Sequence, residues 1–463
     1  MRYGVGVSPE MLGVFRTGAR GVLAAAALAA FSVAAAEEPA PPPTLTLENA
    51  IAIALESNRL VATASLEVGK AADEVAEIRS QRFPTLSLKV LGSELLTPFA
   101  FTFEKGVFGT YPGIGPVPAE DTKIETPQRF TLVGSAQLAQ PLSQQYKIGL
   151  GVKAKKAAEE AAREDLRARR HSVVSDVREA YYGLLQAESA LRAASEGLAS
   201  AREVERVFAD RLATGSVLEV DHMEARARRA QGESQELNAR NALAVRREQL
   251  NLLLARPIAT DFRAVPVPPP RLTDSDLEAA RQRALERRPE VKKARLQATQ
   301  AEYDWKLQRA EWIPDLSLSL NYVRLENFDT LIPKNFVSFG LYLSWDVFDW
   351  GRRNRQSAEK EKTHQQAALA VTETEQSTLV EVGRLHRKVA ETLRSYEAAE
   401  LNRQATRERL RVDKDRFEAE KISASDLMRS QSQLADADRQ FADAVAAFWT
   451  ARADLERAVG EDP

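Results

Sequence analysis

The 463-residue sequence contains no cysteine. That absence excludes disulfides, thiol catalysis, thiolate metal sites and lipid attachment at an N-terminal cysteine. Glycine and proline are scarce, at 22 and 21 residues, and they cluster, so few positions can interrupt a helix. Neither sign of charge dominates: 64 basic residues against 66 acidic ones give a net charge of -2, without the basic stripe that nucleic acid requires. Beyond residue 33 no apolar run reaches the ~18 residues of a membrane-spanning helix. The four histidines, His171, His222, His364 and His386, lack metal-ligand spacing and read as solvated helix residues. No glycine-rich phosphate loop or nucleophile elbow is present. No cofactor, no metal and no catalysis are expected.

What is present begins with an address. Arg16 and Arg20 precede an apolar run over residues 21–33, and Ala34-Ala35-Ala36 supplies a cleavage site, so residues 1–36 read as a secretory signal peptide. Translation from Met1 or from Met11 is consistent with this pattern. Residues 37–44 (EEPAPPPT) form an extended arm.

The rest is a repeat. Residues 47–88 return as residues 277–318: a charged, alanine-rich helical stretch ends at Phe83-Pro84 or Trp312-Ile313-Pro314 and passes directly into alternating apolar and small polar residues. The predicted units are 37–270, with a β-hairpin over 84–142, and 271–463, with a β-hairpin over 314–348. Helices are expected over 47–82, 143–212, 217–254, 273–312, 350–418 and 424–459. Two of these have about 70 residues, or ~105 Å, and the others about half that, so two short helices end to end match one long one. Leu427, Leu434, Phe441, Phe448 and Leu455 recur every seven residues, as do Val177, Leu184, Leu191 and Leu198, which points to coiled-coil pairing. The fold class is mainly α with a membrane β-barrel portion.

The strands carry the membrane signal. Leu316, Leu318 and Leu320 alternate with Ser317, Ser319 and Asn321; Phe339, Leu341 and Leu343 alternate with Ser338, Gly340, Tyr342 and Ser344. A strand of about 10 residues with one apolar and one polar face fits the hydrocarbon layer of an outer membrane, so these six apolar residues are assigned to lipid. Phe83, Trp312, Phe348 and Trp350 mark the helix-side ends as an aromatic girdle would. Four strands cannot close a barrel, and open edges are not tolerated in lipid, so several copies must contribute to one pore. This reasoning leaves the number of copies open.

The order of these pieces, given twice, resembles the outer-membrane efflux protein family, the TolC-like exit ducts. The resemblance rests on Leu47-Glu48-Asn49-Ala50 with Asn58, the Phe83-Pro84 and Ile313-Pro314 steps, Gln140-Pro141-Leu142 aligned with Asp346-Val347-Phe348, and Asp349-Trp350-Gly351-Arg352-Arg353. It extends to two helix-turn-helix tips, over residues 211–221 and 416–426. It implies a homotrimer in the bacterial outer membrane with a long periplasmic extension, twelve strands in one barrel and a helical tunnel about 100 Å long. It also implies partners: a periplasmic adaptor (membrane fusion) protein and an inner-membrane efflux pump or exporter, for efflux or type I secretion. Thr214, Gly215, Ser216 and Val217, with Glu420, Lys421, Ile422 and Ser423, are then adaptor-contact candidates. Asp221, Asp426, Arg429 and Phe417 are gate or constriction candidates. Glu420 departs from the family's usual glycine, and Arg429 stands where some members carry a second acid.

Bland readings of the tips also exist. Ser216 to Glu219 has the form of a capping box, and Asp221, Ser423 and Asp426 suit helix starts. Against the duct stands a second reading, a secreted periplasmic coiled-coil scaffold without a pore.

Overall fold

The computed structural model describes residues 43–94, 96–97, 100–125, 130–271, 276–326, 333–419 and 421–461. The expected signal peptide and most of the arm therefore lie outside the described residues. Among the described residues, eight helices and ten strands follow in the order β1 (Thr44–Leu45), α1 (Leu47–Ser57), α2 (Arg59–Ser80), β2 (Thr85–Glu94), β3 (Ala100–Phe103), β4 (Thr110–Tyr111), β5 (Gly115–Pro116), β6 (Thr122–Glu125), β7 (Phe130–Pro141), α3 (Gln144–Ala213), α4 (Glu219–Leu253), β8 (Arg263–Ala264), α5 (Leu277–Arg287), α6 (Pro289–Ala310), β9 (Asp315–Glu326), β10 (Asn335–Ser344), α7 (Arg352–Glu418) and α8 (Ala424–Val459).

The duplication is geometric. Helices α1 and α5 have 11 residues each and α2 and α6 have 22 each, and both pairs, like the starts of β2 and β9, are offset by 230 residues (47 to 277, 59 to 289, 85 to 315). Beyond the strands the offset becomes 205, as the αL residues that end the last helices show (Ala255 to Gly460). One expectation fails in the same way in both repeats: the helices expected over 47–82 and 273–312 are each broken, at Asn58 and at Arg288, where the backbone turns extended. Asn58 caps α2 by accepting the Leu60 N–H at 2.8 Å, and Pro289 opens α6 at a position that needs no N–H.

Each break receives the end of its repeat's last helix. Ser57 Oγ donates to Leu254 O at 3.0 Å and Asn58 Nδ2 to Leu253 O at 3.2 Å, satisfying carbonyls that the C-terminus of α4 leaves unpaired. In the second repeat Gly460, at φ +77°, lies so close to the Arg287–Arg288 backbone that an added Cβ would meet Arg288 N at 2.8 Å, so only glycine fits. At this waist, β1 and β8 form a two-stranded parallel ribbon over a core that includes Val177, Tyr181, Leu184, Leu250 and Phe262. Full burial of Phe262 contributes about 1.5–3 kcal/mol.

Neighbour relations give a four-helix layer. Helices α2 and α4 both pack beside α3, while α6 and α8 both lie between α3 and α7, so broken helices stand next to long ones. The sheet repeats this order, β2-β7-β9-β10, all antiparallel, because each strand continues its own helix. The heptad positions Val177, Leu184, Leu198, Leu427 and Phe448 are buried along the seams. No described helix is long and apolar enough to cross a membrane.

Candidate channel surfaces: the strand face, the junctions and the tips

Register decides which strand side chains share a face. Leu341 pairs with Leu318, Leu343 with Leu316 and Phe339 with Leu320; Leu320 pairs with Leu138, which pairs with Leu86. All six lipid-face candidates, Leu316, Leu318, Leu320, Phe339, Leu341 and Leu343, therefore stand on one face of the sheet, continuous with Leu86, Leu88, Val90 and Ala136. Along its outer strands this face lies open, with Leu88 at 73% and Leu341 at 66% exposure. An apolar surface of that extent signals a partner or a lipid phase. The opposite face carries Thr85, Ser87, Lys89, Ser135, Gln137, Ser317, Ser319, Asn321 and Ser338. The outer edges of β2 and β10 have no strand partner among the described residues.

The strand–helix junctions are where the aromatic residues sit: Phe83, Trp312, Phe348 and Trp350 are all exposed. Beneath Trp312, the Asp349–Arg353 pair is nearly closed to solvent, with side chains 9% and 6% exposed and 2.7 Å apart. Arg353 also donates to Glu311 O at 3.1 Å and to Asp346 O, and its guanidinium stacks 4.6 Å from the Trp312 ring centroid. Asp349 meanwhile accepts the N–H groups of Gly351 and Arg353, which lets Trp350 (φ +56°) and Gly351 (φ +82°) hold consecutive left-handed conformations at the start of α7. The Asp349-to-Arg353 motif is legible in the sequence; this role for Arg353 is not.

At the first tip, α3 ends on Thr214 and Gly215 (φ +73°), and Ser216 N–H returns to Arg211 O at 2.9 Å. The expected Ser216–Glu219 capping box is absent. The cap of α4 is Leu218, whose N–H is accepted by Asp221 Oδ2 at 3.2 Å, while Ser216 Oγ lies 3.0 Å from Thr214 Oγ1. A leucine cannot accept in return, so the box has only its acidic half. Val217 is half-buried, and Leu218, Val220 and Met223 form an exposed apolar cluster that the sequence reading did not single out.

At the second tip Ser423 and Asp426 make both halves: Asp426 N–H donates to Ser423 Oγ at 3.1 Å and Ser423 N–H to Asp426 Oδ2 at 3.3 Å. The Ser423 hydroxyl, 2.7 Å from Oδ2, holds the Asp426 carboxyl below the usual carboxylate range; the Ser423 backbone and the charge of Arg429 act the same way. Lys421 and Ser423 are exposed and Ile422 is half-buried; Glu420 lies outside the described residues. Asp221 and Asp426 thus occupy the same third position of α4 and α8. Phe417 links the tips, its ring centroid 5.6 Å from the Arg211 guanidinium.

The histidines correct the sequence reading in part. His171 is 6% exposed, and His364 stacks on Trp305 with centroids 6.1 Å apart. Among the described residues, no group of three or more His, Asp or Glu side chains is placed to hold a metal.

A four-helix layer thus runs strand for strand into an open sheet with one apolar face. The chain belongs to the outer membrane efflux protein family, whose model matches residues 50–256 and 280–461. It is similar to the Campylobacter jejuni CmeC outer membrane channel (18% identity, TM-score 0.74, covering 89% of this chain and 85% of that one). It is also similar to the Neisseria gonorrhoeae MtrE outer membrane channel, solved in its open state (19%, TM-score 0.70, 89% and 88%), and to the Vibrio cholerae outer membrane protein VceC (17%, TM-score 0.69, 89% and 96%). No curated protein matches the sequence. The family's members are outer-membrane efflux channels rather than enzymes.

Proposed function

We propose that three copies of this chain form an outer-membrane exit duct that passively conducts substrates delivered by an inner-membrane pump and a periplasmic adaptor. The observation that carries this reading is the open sheet: four strands in continuous register, apolar on one face, without a strand partner at either edge among the described residues, and extending a helical layer. Copies joined β10 to β2 remove the edges, turn Leu318 and Leu341 toward lipid and turn Ser317 and Ser338 toward water. Residues 1–36 are removed on export, and the units 37–270 and 271–463 alternate around the pore.

In this arrangement the turn at Gly215 and the turn before Ser423 point into the periplasm and meet the adaptor, with Leu218, Val220 and Met223 as an apolar contact. Three copies each of Asp221 and Asp426 focus negative potential at the narrow end and favour cations there. The purified protein should run as a heat-resistant trimer on a gel and give discrete conductance steps in planar bilayers. A monomer without conductance would instead support the scaffold reading. Within a conducting trimer, Asp426→Asn should lower cation selectivity and Arg429→Ala should strengthen block by multivalent cations; unchanged selectivity in both removes the constriction.

A further inference from the structure

Just below the sheet, between α2 and α3, lies an open cleft of about 550 Å³ that gathers Arg79, Arg82, Lys153 and Lys156 around Gly149. All four cations are exposed, and none has a carboxylate partner among the described residues. Glu74, on the side of α2 that faces α3, is already taken by Lys155 at 2.7 Å. Lys153 lies over the Tyr303 ring, 5.6 Å from its centroid, a contact that leaves its charge unneutralised. Further down α3 the arginines are paired instead: Arg163 with Glu159, Arg178 with Glu456 and Arg206 with Glu203. Four like charges brought together without a counter-charge favour an anion among them.

Two amides fix the side of the layer on which the cleft opens. Arg82 O accepts from Gln140 Nε2 at 2.9 Å and from Gln145 Nε2 at 2.8 Å. Gln140 stands opposite Leu318 on the apolar face of the sheet, and Gln145 lines the cleft. The cleft therefore opens beneath the apolar face, which β2 carries upward from it through the exposed Leu86 and Leu88. Gly149 lies about 9 Å along α3 from Ser143, the depth of a headgroup layer beneath a hydrocarbon core. The second repeat has no such cluster. By the offsets of 230 and 205, Arg309 matches Arg79, but Trp312 stands for Arg82, Ala358 for Lys153 and Glu361 for Lys156.

We propose that this cleft binds the phosphate headgroup of an anionic phospholipid from the periplasmic leaflet, with the acyl chains laid along Leu86 and Leu88. Arginine meets phosphate oxygens with a planar fork of N–H donors, and lysine adds mobile point charges whose stems follow apolar surface. A zwitterionic headgroup carries its own cation and cannot compensate four more, so the cluster selects a headgroup of net negative charge. Basic pockets at a membrane boundary recognise lipids of this kind. Each chain carries one such site, so a trimer holds three. The proposal rests on the duct reading, because it needs the apolar face of the sheet to lie in a membrane.

The probes are phosphatidylglycerol and phosphatidylethanolamine, titrated into the delipidated full-length protein in nonionic detergent and counted by native mass spectrometry. Three phosphatidylglycerol molecules per trimer should bind at least tenfold more tightly than phosphatidylethanolamine. Lys153→Ala with Lys156→Glu, which installs the second repeat's residues at exposed positions, should abolish that preference. Arg355→Ala with Lys362→Glu makes the same charge change at exposed positions of α7 and should preserve it. An equal concentration of inorganic phosphate should not displace the lipid. The site is overturned by equal affinity for the two lipids, by equal loss in the two double variants, or by displacement with phosphate. It is also overturned if Lys153→Ala with Lys156→Glu alters ion selectivity without loss of lipid, which would put these cations in the lumen. Conductance of the same preparations separates the two claims: a non-conducting parent removes the duct and the site with it, whereas a conducting trimer that retains no anionic lipid removes the site alone.

Discussion

Where β7 passes into α3, a serine hydroxyl ties the chain to the other repeat; where β10 passes into α7, an arginine–aspartate pair closes the turn on itself. Ser143 Oγ donates to Pro314 O at 2.6 Å and accepts the Leu316 N–H at 2.8 Å, so the first junction borrows its partners from the start of β9. Lys147 reinforces it through Asp315 at 2.8 Å. The second junction lies at the edge of the layer, where among the described residues no further strand pairs with β10. Arg353 there takes its partners from Asp349, the carbonyls of Asp346 and Glu311 and the Trp312 ring, all within the second repeat. Duplicated backbone geometry thus survives a change of chemistry, and position in the layer decides which chemistry is used: shared at an interior junction, self-contained at an edge.

The sharpest way to break this comparison is Arg353→Ala. It leaves a carboxylate in a site closed to solvent and frees the carbonyls of Glu311 and Asp346, at a cost of about 3–5 kcal/mol. Urea unfolding of the solubilised protein should show a large drop in midpoint, and Arg353→Lys should recover little because an ammonium cannot reach the same three partners as a planar fork. A midpoint shift no larger than that of Ser143→Ala would mean that the edge junction is not self-contained.

A second test extends the contrast to the two faces of the edge strand. Leu341→Arg should cost about 2–4 kcal/mol near the membrane midplane and impair assembly, whereas Ser338→Arg, three positions away on the other face, should assemble and alter conductance. Equal effects would contradict the register. Smaller again is Ser143→Ala, which leaves the Leu316 N–H without its acceptor and should cost about 1–3 kcal/mol.

Features with a short period were legible in the sequence. Alternation in residues 316–322 and 337–343 marked the shared face of the strands, and the seven-residue recurrence of Leu184 and Phe448 marked the seams, because both follow from backbone repeat geometry alone. Features that depend on distant chain were not. Tyr181 lies next to the heptad positions Val177 and Leu184, yet its importance comes from backbone 136 residues before it and 84 after it. The break at Arg288 carried a signal in the proline that follows, but Asn58 breaks its helix with no such mark, held by carbonyls of α4 nearly 200 residues on. Burial of His171 was likewise missed, since Arg169 and Arg170 directly precede it in sequence. At the first tip the expected cap was displaced by two residues because Gly215 and the Ser216–Arg211 bond carry the turn further before α4 begins.

The smallest expected effect separates the two tips. Both helices after the turns carry aspartate at their third position, but only α8 has a hydroxyl at its cap, so only there does the box close in both directions. Ser423→Ala should cost about 1 kcal/mol of local helix stability. It should also raise the Asp426 titration toward the ordinary aspartate range, because the Ser423 hydroxyl is the largest cause of its depression. The sign follows from that depression: a carboxyl that titrates lower when folded gives a cap that is complete above the unfolded pKa and is lost as pH falls through the lower, folded value. Fraying of the α8 start on acidification should therefore begin at higher pH in Ser423→Ala than in the parent. Carbon-13 detection of the Asp426 carboxyl, with hydrogen exchange over residues 424–430 corrected for intrinsic rates, reads both effects. If Asp426 titrates at the ordinary aspartate value in the parent, or is unmoved by the substitution, the second tip is no better closed than the first.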